Sequence, residues 1–276
     1  MKRRHFLQRA GLLCASGTTI AAGTTKAATA AQSDQAKADG QIKSVLVTSA
    51  HTPVAKAIAA GLGDAYRVHL IGPLEMVTDA PYTRSDLGHD ESTDRLVSGM
   101  DAIVHVAQPP PGTSERERID HRTRSTYNLL RAAAKEGVRR VVYLSSLAMM
   151  TGYDEDFEVT EDWRPPLTDC PHVLSDCLGE FTCREFARAG QLGVVVLRLG
   201  TVVKADEVNG KPFDPLWVEE RDAVSAVRGA LAAEFSDNAS SVGFWKIFHI
   251  QSGSPRARFT SARAQSELSY QPQFNW

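Results

Sequence analysis

A doubly wound parallel α/β sheet is predicted by three observations. Short Val/Ile/Leu-rich runs near 44–48, 66–71, 101–106, 139–145 and 193–199 alternate with helical stretches near 53–62, 91–98, 115–136 and 173–189, the pattern of parallel strands joined by crossover helices. The runs lack strict apolar/polar alternation, as strands covered on both faces require. The first run, Ser44 to Thr48, passes through Ser49 to Ala55 straight into a helix, which is the layout of the first βα unit of a Rossmann-type sheet.

Each element has its own warrant. Pro53 starts the first helix, where its fixed φ and missing N–H cost nothing. The second strand ends in His69-Leu70-Ile71-Gly72-Pro73 with no acid at its tip. His105, in the buried-looking run 101–106, reads as a satisfied core residue. The stretch 115–136 turns Ile119, Leu129, Leu130 and Ala133 toward the sheet. Its Arg116, Arg118, Arg122 and Arg124, interleaved with Glu115, Glu117 and Asp120, read as a solvated face. Beyond Thr201 the order loosens into a helix near 219–234, a strand near 245–250 and a short helix near 260–268.

The chain opens Met1-Lys2-Arg3-Arg4-His5-Phe6-Leu7, a twin-arginine export pattern, with a weakly apolar stretch behind it and an Ala28-Thr29-Ala30 processing site. That stretch is too short and polar to remain as a membrane anchor. The expected organisation is a signal over 1–30, a polar linker over 31–42, a dinucleotide-type domain over 43–203 and a small lobe over 204–276, with a periplasmic or other extracytoplasmic location. Removing residues 1–30 takes away Lys2, Arg3, Arg4, Arg9 and Lys26 and no acid, moving the formal charge from −2 to −7. An acidic mature protein argues against nucleic acid as a partner. Cys170, Cys177 and Cys183 remain; one disulfide is open to an exported protein, without a pairing that spacing can assign. No His partners them at zinc-ligand spacing, so no metal site is expected.

Several blocks in order carry a family resemblance. Asp86-Leu87 leads through Asp90 and Ser92 to Gly99-Met100-Asp101-Ala102-Ile103-Val104-His105-Val106-Ala107; Thr126-Tyr127-Asn128-Leu129-Leu130 is followed by Gly137-Val138-Arg139-Arg140-Val141-Val142-Tyr143-Leu144-Ser145-Ser146; Val196 to Gly200 and Glu267 to Pro272 close the series. From about Lys43 onward the chain resembles the extended short-chain dehydrogenase/reductases, the NAD-dependent epimerase/dehydratase family. The resemblance implies a Rossmann-type sheet with a short C-terminal substrate lobe, an NAD or NADP cofactor, and a Ser/Thr, Tyr and Lys that move the substrate's proton.

The residues at those positions depart from the pattern. The family's three loop glycines fall on Ser49, Thr52 and Ala55; Thr52 puts a β-branched side chain where the pyrophosphate approaches, and Pro53 removes a backbone donor. The loop therefore disfavours both NAD and NADP. The family's Tyr falls on His172, its Lys on Asp176, and its hydroxyl on Leu147, with Ser146 one residue away. An aspartate in place of the lysine reverses the charge beside the proton donor. Arg122 falls about where the family has an asparagine near the cofactor, a cation able to meet an anionic ligand. Asp101 and Asp222 match family positions that shape loops.

The resulting expectation is an exported pseudoenzyme or re-purposed small-molecule binder, with its ligand in the cleft at the carboxyl ends of the strands. An NAD(P)-dependent oxidoreductase or sugar epimerase/dehydratase with an atypical site is the alternative. A third reading joins Ser145 or Ser146, with Ser146 preferred, to His172 and Asp176 as a hydrolase relay. The family's habit of pairing through the helices near 115–136 and 173–189 implies a homodimer.

Overall fold

The computed structural model describes residues 41–235 and 244–276. The expected signal, and most of the expected linker, lie outside the described residues. The main sheet is built from β1 (Ser44–Val47), β2 (Arg67–Gly72), β3 (Tyr82–Arg84), β4 (Ala102–His105), β5 (Arg140–Ser146), β6 (Gly193–Leu199) and β9 (Trp245–Ile250). Its strand order is β3-β2-β1-β4-β5-β6-β9, and every pairing is parallel. Order reverses between β1 and β4, the switch point at whose carboxyl edge such sheets open a crevice. The Rossmann-type expectation is met.

Helices cover both faces because successive strand residues point to opposite sides. On one side Val45, Val47, Val104, Val142, Val195 and Phe248 pack with α1 (Pro53–Leu62), α7 (Glu220–Ala232) and α8 (Ala262–Leu268). On the other, Leu46, Ile103, Val141, Tyr143 and Val196 pack with α2 (Glu91–Val97), α4 (Thr126–Glu136) and α5 (Pro171–Arg188). The segment expected as a separate lobe supplies the seventh strand and two helices to these layers. Its remaining pieces are α6 (Ala205–Val208) and a two-stranded parallel sheet of β7 (Thr201–Val203) and β8 (Trp217–Glu219).

The stretch expected as one helix over 115–136 is broken. It begins as α3 (Glu115–Asp120), closed by a capping box of Ser114 with Glu117. It then widens into a π-turn over His121–Ser125 before α4, which ends on Gly137 at φ 72°. The π-turn turns Arg122 inward and buries it, so the solvated-face reading is corrected at that one arginine. Ile119 is half-buried, while Leu129, Leu130 and Ala133 are core.

Two expected loop-shaping aspartates do so through backbone donors. Asp101 accepts from the Lys43 and Ser44 N–H groups, both at 2.9 Å. Asp222 accepts from Gln273 and Phe274 N–H and from the Ser252 hydroxyl, tying down the C-terminal tail. His105 is held by Thr48 on Nδ1 and Thr126 on Nε2, each at 2.9 Å, as a satisfied core histidine. Cys170 is exposed, Cys177 half-buried and Cys183 buried, and all three are free thiols. Among the described residues no helix is long and apolar enough to cross a membrane, and no cluster of three or more His, Cys, Asp or Glu could hold a metal.

Candidate functional site

A cleft of about 480 Å³ opens at the carboxyl edge of the sheet. Its walls come from the start of α1 (Pro53, Val54), the strand ends (Val106, Leu144, Leu199) and β7 (Val202, Val203). Its polar floor is Arg122, Ser145 and Asp176, with Lys204, Glu207 and Glu220 on the lining beyond.

The loop before α1 follows the path of a glycine loop without the glycines. Ser49 sits at φ 55°, a left-handed conformation that glycine takes without penalty and serine does not. Its hydroxyl accepts from the Gln108 N–H at 3.1 Å. Thr52 is the N-cap: its hydroxyl donates to the Ser49 carbonyl at 2.9 Å and accepts from the Ala55 N–H at 3.2 Å. The Thr52 N–H is bound to the Ser49 carbonyl, and Pro53 has no N–H. Of the first-turn donors that would hold a phosphate, Val54 alone is left by the cap and the proline. At the tip of β2, Gly72 and Pro73 present carbonyls to Tyr82 and Arg84, and Arg84 pairs with Glu75 at 2.9 Å. Most of the loop's polar groups are thus taken up by the protein itself, the Val54 N–H is left over, and the tip of β2 carries no acid where the family's ribose contact is implied.

The catalytic positions are re-made as well. Leu147 is fully buried, in a 3₁₀ turn capped by Ser146, whose hydroxyl accepts from the Ala148 N–H at 3.1 Å. His172 is exposed on the first turn of α5. Asp176, one turn on, faces inward against Arg122, with Nη1 and Oδ1 2.8 Å apart and both side chains 10% exposed. Ser146 and Asp176 line the same cleft; the Ser146 hydroxyl also serves the 3₁₀ turn, and Asp176 feels the charge of exposed His172 but is engaged at close range by the arginine from the π-turn. Sequence spacing alone suggested His172 as the partner because i and i+4 share a helix face; burial of Asp176 beside a cation is the stronger constraint.

Charge in the floor has changed helices. Where the resemblance implies a neutral residue on the π-turn and a cation on α5, this chain has a cation at 122 and an anion at 176. Burial raises the proton affinity of Asp176, and Arg122 opposes that rise. Tyr143 abuts the same guanidinium from the sheet, its hydroxyl pushed well above the usual phenol range by burial. Gly179 permits this packing, since a Cβ there would sit 2.0 Å from the Tyr143 hydroxyl oxygen.

The floor is under-bonded. The Nε and Nη1 atoms of Arg122, Oδ1 of Asp176 and the Ser145 hydroxyl are buried, and none makes a hydrogen bond of acceptable geometry among the described residues. The sequence offers Ser145 or Ser146 as the strand-end hydroxyl; both line the cleft, Ser145 opposite Arg198 in the β5–β6 ladder and Ser146 at its end, where it also caps the 3₁₀ turn.

The family model for the NAD dependent epimerase/dehydratase family matches residues 36–215. L-arabinose 1-dehydrogenase (NAD(P)(+)) of Haloferax volcanii is 24% identical over 57% of this chain and 70% of its own. Uronate dehydrogenase of Agrobacterium fabrum is 25% identical over 60% and 64%. Among solved structures, a mutant uronate dehydrogenase from Agrobacterium tumefaciens complexed with NAD has a TM-score of 0.72 at 19% identity, covering 84% of this chain and 85% of that one. MoeE5 in complex with UDP-glucuronic acid and NAD has a TM-score of 0.68 at 20% identity, covering 84% and 94%.

Proposed function

The chain belongs to the NAD-dependent epimerase/dehydratase family, and from that premise we propose that it is an exported, re-purposed member that binds a small molecule in its strand-end cleft without dinucleotide-based redox chemistry. The observation that carries this reading is the Arg122–Asp176 pair. It occupies the floor where the family's proton-transfer chemistry would need a lysine cation beside a phenol. The closed cap at Thr52 supports it from the phosphate side. The cleft lining adds Lys204 and Arg122 against Asp176, Glu207 and Glu220, a balance that disfavours a dianionic pyrophosphate and suits a neutral ligand.

The test is to purify the folded chain from cytosol with its export blocked, denature it, and identify released small molecules by mass spectrometry. No stoichiometric NAD or NADP, and no thermal shift on adding either in either redox state, is the expected result. Stoichiometric release would overturn the reading. It would favour the second one, an NAD(P)-dependent oxidoreductase with an atypical site, which the dehydrogenase relatives support.

Export rests on the Arg3-Arg4 pair; replacing both with lysine should leave unprocessed protein in the cytosol. A homodimer through α4 and α5 accords with the exposed Tyr127 and Phe181 on those helices; light scattering showing a monomer at high concentration would remove it.

A further inference from the structure

We propose that Arg122, Asp176 and Ser145 form a cofactor-free proton-transfer site for a neutral carbonyl compound with an acidic C–H beside the carbonyl, α-hydroxyketones being the simplest class. The proposal rests on the reading above that the cleft takes a small molecule and no dinucleotide.

A buried ion pair is commonly only structural, and the protein contains one for comparison. Arg198 and Glu180 meet across β6 and α5 in two parallel hydrogen bonds of 2.8 Å, with side chains 3% and 8% exposed. That pair saturates itself. Arg122 and Asp176 border the cleft and touch through one contact only, Nη1 to Oδ1 at 2.8 Å, with the Tyr143 hydroxyl also against the guanidinium, while the Ser145 hydroxyl in the same lining has no hydrogen bond. A singly paired guanidinium and carboxylate and an unbonded hydroxyl therefore share one floor. Buried groups left so in a cleft are the usual mark of a site built for a ligand.

The complement of this set is an oxygen that accepts from Arg122 next to a hydrogen that Asp176 can take. With a carbonyl oxygen on Arg122, the Asp176 carboxylate removes the proton from the neighbouring carbon. The C–H electron pair becomes the C=C bond of an enediolate, and the carbonyl π pair moves onto oxygen, where the guanidinium stabilises the charge. Protonated Asp176 returns the proton to the same carbon, which exchanges it with solvent, or to the former carbonyl carbon, in which case the neighbouring hydroxyl forms its own C=O and its proton passes to the former carbonyl oxygen, and the compound is isomerised. No electrons leave the substrate and no redox partner is needed. Burial raises the proton affinity of Asp176 toward the range a general base needs, and the lining's excess of acids over bases selects neutral over phosphorylated substrates.

The test follows solvent deuterium into dihydroxyacetone by proton NMR in D₂O with the purified full chain at neutral pH. Methylene signal should fall faster than in protein-free buffer. Asp176→Asn should slow that rate about 100-fold or more, the scale of a lost general base, and Ser145→Ala should lower it less. Arg122→Lys keeps the ion pair and the fold but not the forked donors, so it should reduce exchange while the melting curve stays close to that of the parent. Exchange at the buffer rate in the parent chain, or a parent rate retained by folded Asp176→Asn, overturns the proposal and leaves the pair structural. That outcome without NAD binding leaves the small-molecule reading standing, whereas NAD binding overturns that reading separately.

Discussion

Asp176 and Arg122 illustrate how one residue's identity forces another's. A lone aspartate buried against α5's neighbours would lose its hydration with no return, and an arginine at 2.8 Å supplies the counter-charge. Removing one member should therefore cost more than removing both. Asp176→Ala strands the guanidinium and is expected to lower stability by about 3–5 kcal/mol, whereas an Arg122→Leu, Asp176→Leu double variant should recover most of that loss. Urea unfolding of the three chains measures it, and a double variant as unstable as the single one would contradict it. The same residue scale places His172: exposed on the first turn of α5, it bears on Asp176 through its charge, while Arg122 reaches the carboxylate at 2.8 Å.

At the scale of elements, α1 and α5 set the site. The start of α1 is stabilised by its own sequence, through the Thr52 cap and Pro53 at the first turn, and that self-sufficiency closes the anion site. Thr52→Ala should cost about 0.5–2 kcal/mol of stability through the lost cap without creating affinity for NAD, since the proline and the β2 tip are unchanged; thermal denaturation with and without NAD reads both. Docking of α5 on β5 depends on Gly179, where any Cβ meets the Tyr143 hydroxyl. Gly179→Ala is expected to cost about 1–3 kcal/mol by overpacking, partly relieved in combination with Tyr143→Phe. An unaltered unfolding midpoint for Gly179→Ala would mean that α5 docks more loosely.

For the molecule as a whole, stability should depend on pH through its buried histidines. Burial, reinforced by Arg122, holds His121 down to about 4, and burial beside Arg198 holds His249 down to about 3, against an ordinary value of 6.5. Both are neutral in the folded chain, so the unfolded chain binds more protons below 6.5. Their contribution is present in full above pH 6.5 and is lost as pH falls from there toward the folded values of about 4 and 3. Melting temperature measured from pH 7.5 to 4 should fall across that window, and a chain with His249→Gln should fall less steeply; a flat profile would be inconsistent with neutral buried imidazoles.

The sequence by itself determined the order of strands and helices and the absence of the loop glycines. Continuous apolar runs such as Val194 to Leu197 can be buried on both faces in only one kind of sheet, and an absent glycine is an absent conformation wherever the chain folds. It left out β3, whose three residues are half-exposed or exposed and carry no apolar run, and the π-turn, which local propensity does not encode. Only the tertiary structure decided that Arg122 turns inward, that Asp176 meets it at 2.8 Å, and that Ser145 and Ser146 both line the cleft while Ser146 also caps a turn. Local spacing offers an aspartate several partners; packing α5 against the π-turn, with water excluded, makes the buried cation the one that lowers the free energy.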